Sequence, residues 1–139
     1  MQVGSMFQSC LLSICLLCGA NIAYAEADNL AKITINKDYL MAQAASDAVL
    51  HVQASFCRFD HADLESLIEN DVNTVLNLAK QHLVDFDLQT IKEVTDLPTK
   101  QTIDLLKQTP RTGDNYDKNC ADIKANVAAK KRQTKQIAP

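Results

Sequence analysis

Glycine and proline are nearly absent from most of this chain. Gly113 is the only glycine after Gly19, and the prolines are Pro98, Pro110 and Pro139. Sheets and barrels of comparable length need more turn-forming residues, because the tight connections between strands use glycine, proline and asparagine. The sequence therefore predicts an all-α fold.

The first 25 residues have the composition of an export signal. They carry no charged side chain, and an apolar run reads CLLSICLLCGA over residues 10–20. Ala23 and Ala25 then place small residues where a signal peptidase requires them, and charged sequence begins at Glu26. This pattern predicts a signal peptide over 1–25, and a periplasmic or secreted protein, although no lysine or arginine precedes the apolar run.

Two other interpretations of the amino-terminal segment remain open. A retained membrane anchor would need about 20 mostly apolar residues, and polar residues such as Ser13 and Asn21 interrupt any window of that length. A lipoprotein would be acylated at Cys18, but Leu17 stands where a small residue is expected. We therefore expect no stable membrane insertion once the signal is cleaved.

Cleavage would leave two of the five cysteines, Cys57 and Cys120. An even count in an exported chain predicts one disulfide, and two free buried thiols are the alternative. The bond would close a loop of roughly 64 residues. Because it restricts the unfolded chain, such a bond would stabilise the folded state by about 4 kcal/mol.

Apolar residues recur at intervals of three and four after Asn36, as in amphipathic helices. We predict a small bundle of about five helices, with the first and last helices antiparallel and joined by the disulfide. Asn36, Asp60 and Asp87 are predicted N-caps, and Pro98 is expected to separate two short helices. The predicted helices span 37–59, 60–84, 87–96 and 99–106, and Asp114 caps a last one. The helix over 60–84 has a possible break at 70–71. An extended arm over 26–36 precedes this helical domain of 37–130, and a basic flexible tail over 131–139 follows it.

Charge is distributed unevenly along the chain. Residues 60–104 carry ten acidic and three basic side chains, whereas residues 105–139 carry three acidic and eight basic ones. The oppositely charged helices could attract each other within one fold, or an acidic face could bind a partner. The acids that cluster, and that we predict as partner-binding residues, are Asp63, Glu65, Glu69 and Asp71.

Patterns that would indicate catalysis or a cofactor are weak. Cys57 and His61 have a ligand-like spacing, but Asp60 is expected to break the helix between them, and Cys57 has a disulfide partner. His51 is expected to be exposed on an amphipathic helix. No serine lies in a glycine-rich turn and the chain lacks tryptophan. The sequence predicts no enzyme, no metal and no cofactor.

Nucleic acid is also an improbable partner. The chain is acidic overall, and no aromatic side chain lies among the basic residues of 124–135 on which a base could stack. Another protein is the expected partner, and we predict an inhibitor, immunity or adaptor protein.

The general architecture resembles two groups of small helical periplasmic proteins. Acid-stress chaperones have a disulfide between helices with lysines after the second cysteine, which is similar to Cys120 followed by Lys124 and Lys130. However, Cys57 lies deep in the mature chain, whereas their first cysteine is near its start. Immunity proteins that block cell-wall amidases are similar in being helical and often disulfide-bonded. Both resemblances cover architecture only and carry over no functional residues. An acid chaperone is the first alternative function, and a metal carrier or enzyme is the last.

Overall fold

A computed structural model describes residues 33–137 of the chain. Within that range 81% of the residues are helical and no strand occurs, which confirms the all-α prediction. The four helices are α1 (Lys37–Phe56), α2 (His61–Gln81), α3 (Leu88–Lys107) and α4 (Asp114–Ile137). The predicted signal peptide and most of the extended arm lie outside the described residues. From Ile35 onward the described chain belongs to one compact unit.

Three of the helices begin where a side chain satisfies the first free amides. Asn36 accepts a hydrogen bond from the amide of Tyr39, and Asp60 accepts one from the amide of Ala62. Asp87 accepts one from Thr90, and this bond holds the pKa of the Asp87 carboxyl below its ordinary value of 3.8. The three predicted N-caps are thus confirmed. The last helix begins at Asp114 itself, without the predicted cap geometry.

The first two helices end in the same local geometry. Arg58 follows α1 with a φ of 59°, and Leu83 follows α2 with a φ of 54°. After α1 the amide of Phe59 donates a hydrogen bond to the carbonyl of Ala54, and after α2 the amide of Val84 donates one to the carbonyl of Ala79. These Schellman-type turns satisfy the last carbonyls. They end the helices before residues 59 and 84, so both predicted ends were too late.

The prediction of about five helices is wrong by one, because α3 continues through Pro98. A proline inside a helix removes one backbone hydrogen bond and costs about 3 kcal/mol. The residue pattern explains why the helix persists: α3 buries Ile91 and Leu106, on either side of the proline, while it packs chiefly against α1. Helices in proteins gain most of their stability from such packing. Asn70 and Asp71 do not break α2.

The predicted disulfide between Cys57 and Cys120 is present, with Cα atoms 5.4 Å apart. It joins the carboxyl end of α1 to the second turn of α4. Ten residues earlier in α1, Asp47 contacts Lys130, which lies ten residues later in α4. The two helices therefore run antiparallel, as predicted. α4 continues to Ile137, into the segment over which the sequence predicts a flexible tail.

The buried apolar residues form two clusters at opposite ends of the α1–α2 pair. Leu40 and Val75 belong to one cluster, together with Phe86 from the loop before α3. The disulfide and Leu67 belong to the other, which α4 completes. At the second end, the Phe56 carbonyl accepts hydrogen bonds from the Arg111 guanidinium (3.0 Å) and the Tyr116 hydroxyl (3.1 Å). These bonds attach the α3–α4 loop, through Arg111, and the first turn of α4, through Tyr116, to the end of α1.

Candidate protein-binding site

Four charged or polar side chains separate the two apolar clusters halfway along the bundle. Asp47 and His51 come from α1, Asp71 comes from α2 and Lys130 comes from α4. We call these four residues the polar layer. Asp47 and His51 are one helical turn apart on the same stripe of α1 as Leu40. Helix periodicity therefore places them inside the bundle.

Every member of the polar layer has a partner. The His51 Nε2 atom lies 2.6 Å from an Asp71 carboxylate oxygen, and the Lys130 ammonium lies 2.9 Å from the same oxygen. Lys130 also donates to Asp47, which accepts a second hydrogen bond from Gln43 at 2.8 Å. The carboxylates of Asp47 and Asp71 are only 8% and 5% exposed. Lys130 therefore links α4 to both α1 and α2 through buried carboxylates.

Burial dominates the electrostatics of Asp47. It raises the pKa of the Asp47 carboxyl above 3.8, and the nearby Asp71 carboxylate raises it further. The Lys130 ammonium and the Gln43 amide act in the opposite direction, with smaller effect. Removal from water thus disfavours the ionised form of Asp47 even beside a cation. The Lys130 charge is what keeps this pair of carboxylates compatible with the fold.

A cleft opens on the polar layer between α1, α2 and α3. Its volume is about 380 Å³. Most of the wall is apolar, and the charged or titratable groups that line it are Asp47, His51 and Asp71. The complete lining comprises Ala44, Asp47, Ala48, His51, Val52, Ser55, Leu64, Ile68, Asp71, Val72, Val75, Ile91, Thr95 and Thr99. The cleft is therefore mainly apolar, with Asp47 and Asp71 as the acidic residues of its lining.

The structure separates the four acids that the sequence singled out. Asp63, Glu65 and Glu69 are exposed on α2, whereas Asp71 is buried in the polar layer. Asp71 follows Leu64, Leu67 and Ile68 at helical spacing, so it falls on the inward stripe of α2. It therefore cannot form part of an exposed acidic surface. We call the remaining three residues, Asp63, Glu65 and Glu69, the acidic face; Glu65 and Glu69 lie one turn apart on one side of α2, whereas Asp63, two positions before Glu65, lies on another side of the helix.

The histidines lie in different environments. His51 is buried against Asp71 with 14% of its side chain exposed, so the expectation of an exposed histidine is wrong. His61 is exposed and lies 3.2 Å from Glu65, one turn further along α2. Cys57, the other half of the Cys57–His61 spacing, is bonded to Cys120. Over residues 33–137, no three His, Cys, Asp or Glu side chains are grouped as metal ligands would be.

Sequence reasoning missed the polar layer and the cleft. One signal was present, because Asp47 and His51 interrupt an otherwise apolar and alanine-rich stripe of α1. Their partners could not be identified from it, since Asp71 lies 20 residues from His51 and Lys130 lies 83 residues from Asp47.

Comparisons with protein families, with characterised proteins and with solved structures find no match to this chain. Within the part of the chain that the structure describes, no helix has the length and apolar character needed to cross a membrane.

Proposed function

We propose that this chain is an exported helical protein that acts by binding another protein through the acidic face of α2, as an inhibitor, immunity or adaptor protein. The proposal is supported by the absence of ion pairs between the acidic face and the basic residues of α4 in the described part of the chain. Over residues 33–137, Lys130 is the only lysine or arginine of α4 that forms an ion pair with an acid of another helix. The lysines and arginines of α4 therefore do not neutralise the acidic face.

The individual acids agree with this interpretation. Asp63 and Glu69 form no ion pair with any residue of 33–137, and Glu65 contacts only the exposed His61. Exposed ion pairs within one chain contribute little to stability. The same charges strongly affect encounter with a partner of opposite sign, because they raise the association rate and fix the orientation of docking. The helix dipole accounts for Asp63 in the first turn of α2, whereas Glu65 and Glu69 are explained better by binding than by fold stability.

The first experiment is affinity capture with the mature, oxidised protein in periplasmic extract of the source organism. One near-stoichiometric partner is expected at low salt, and its dissociation constant should rise with ionic strength. Capture of no such partner would refute protein binding as the function. An intact mass that corresponds to a chain beginning at Glu26 would support export with cleavage of 1–25.

A charge-reversal pair then tests the acidic face. The test variant is Asp63→Lys, Glu65→Lys and Glu69→Lys, and the matched control is Glu93→Lys, Asp104→Lys and Asp122→Lys. Both variants change the net charge equally, and all six side chains are exposed. We expect the test variant to bind at least about tenfold more weakly and the control to bind nearly as wild type. Equal weakening of the two variants would mean that total charge, and not this face, governs the complex.

A further inference from the structure

The cleft between α1, α2 and α3 is partly open to solvent, so it is a surface groove and not an interior void. A volume of about 380 Å³ lies in the range of roughly 300–1,000 Å³ typical of ligand pockets. Ala44 and Ala48 keep the α1 wall shallow where larger side chains would close the space. The cleft is thus large enough to accept apolar side chains from outside.

The charge of the lining indicates what such an occupant would carry. Asp47 and Asp71 both line the cleft, and no lysine or arginine of the described chain does. Lys130 reaches the two carboxylates from α4, which contributes nothing to the lining. The lining that the described residues provide therefore contains two acidic residues and no lysine or arginine, although both carboxylates are already bonded to Lys130. A basic side chain with an apolar stem would complement an apolar wall with unpaired acids beside it.

The cleft is continuous with the acidic face. Leu64, Ile68 and Val72 line it at intervals of four residues along α2. Glu65 and Glu69 each follow a lining residue by one position, which is about 100° around the helix and places them at the edge of the cleft. Ile68 lines the cleft and is also 39% exposed. A partner that contacts the acidic face can therefore place adjacent side chains in the cleft.

We propose that the cleft is the docking site for a basic, apolar segment of the partner protein. Apolar side chains of the segment occupy the cleft, and its lysines or arginines face Glu65 and Glu69 at the edge. This inference rests on the proposed function, because the same partner would contact the acidic face. It adds the site and the chemical character of the recognised segment.

A tryptophan pair provides the test, since the chain contains no tryptophan. Ser55 lines the cleft and is exposed, so Ser55→Trp places a fluorophore at its mouth. Ser66 is also an exposed helical serine, but it lies two positions after Leu64, on the opposite side of α2, so Ser66→Trp is the matched control. The probe is a short amphipathic peptide of leucine, alanine and lysine. Its counterpart has glutamate in place of lysine.

We expect the lysine peptide to give a saturable blue shift of emission with Ser55→Trp and none with Ser66→Trp. The glutamate peptide should bind Ser55→Trp at least about tenfold more weakly. Adding Ala48→Leu, which fills the cleft, should weaken binding by a similar factor, whereas Ala125→Leu on the exposed side of α4 should not. Circular dichroism of each variant confirms that the fold is intact.

Four results would overturn the inference. Equal responses from the two tryptophans would show binding away from the cleft. Equal affinities for the two peptides would show a pocket for apolar ligands without preference for basic ones. A change of sedimentation on Ala48→Leu in the absence of peptide would show that a second copy of the chain occupies the cleft. If charge reversal of the acidic face abolishes partner capture while Ala48→Leu leaves it unchanged, the proposed function stands and the cleft is not the docking site.

Discussion

Replacing Lys130 by methionine is expected to be among the most damaging single changes on this protein. The side chain is 22% exposed, yet its ammonium contacts two carboxylates that are almost completely buried. Methionine keeps the length and the apolar stem of lysine and removes only the charge. The variant would leave Asp47 and Asp71 with one histidine and one amide as partners.

The magnitude follows from the contacts that are lost. Two hydrogen bonds to ionised groups contribute about 1.5–3 kcal/mol each. Removing one partner of a buried ion pair costs about 3–5 kcal/mol, because the other charge is left uncompensated. We expect the free energy of unfolding to fall by about 3 kcal/mol at neutral pH. This is the lower end of the range for a buried ion pair, because Lys130 is partly hydrated. A domain of this size has only about 5–15 kcal/mol of stability in total.

Urea unfolding followed by circular dichroism measures the effect, with Lys131→Met as the matched control. Lys131 is the exposed neighbour of Lys130 and forms no ion pair over residues 33–137. The test variant should unfold at a urea concentration lower by about 2 M, and the control within about 0.5 kcal/mol of wild type. The difference between the test variant and wild type should shrink in acid, as the stranded carboxylates take up protons. Equal stability of the two variants would refute the assignment of Lys130 as the counter-ion of the polar layer.

Three further predictions concern single features of the fold. Burial raises the pKa of Asp47 above 3.8, so the folded state binds that proton more tightly than the unfolded state does. The free energy of unfolding that this proton contributes is present below pH 3.8 and is lost as the pH rises through the raised pKa. Between those two values, the free energy of unfolding of wild type should therefore fall relative to that of Asp47→Asn. Urea unfolding at stepped pH checks this, and a difference that moves in the other direction would mean that the Lys130 pair outweighs burial. Reducing the disulfide between Cys57 and Cys120 should cost about 2–5 kcal/mol, measured as the urea midpoint with and without reductant, and an unchanged midpoint would contradict its role. Leu83→Gly should stabilise the protein by about 1 kcal/mol in thermal unfolding, because Leu83 is 94% exposed at a positive φ, whereas Leu83→Ala should change little.

The behaviour of Asp47 also bears on the acid-chaperone alternative. Acid loosening requires titratable groups that bind protons more tightly in the unfolded chain than in the folded one. The Asp47 carboxyl does the reverse, since its pKa is raised in the folded state. Loosening of this protein in acid would therefore have to come from other titratable groups. The chaperone alternative predicts dye-accessible apolar surface in acid, and an unchanged dye signal down to about pH 2 would refute it.

What the sequence determined by itself is the local chemistry of the chain. The scarcity of glycine and proline predicted the helical class. The N-caps at Asn36, Asp60 and Asp87 were predicted because each side chain bonds an amide only two or three residues ahead. The pairing of Cys57 with Cys120 was predicted because the other three cysteines lie in the segment predicted to be a signal peptide. Each of these inferences depends on nearby residues or on a simple count.

Only the tertiary structure decided the features that depend on distant contacts. Pro98 disfavours a helix locally, and α3 passes through it because burial against α1 outweighs the lost hydrogen bond. Asp71 looks like one more surface acid in a charged stretch, and it is buried because His51 and Lys130 reach it from other helices. The cleft lies between three helices, and the small side chains of Ala44 and Ala48 form part of its wall. Sequence periodicity shows which way a side chain points, but packing decides what it meets there.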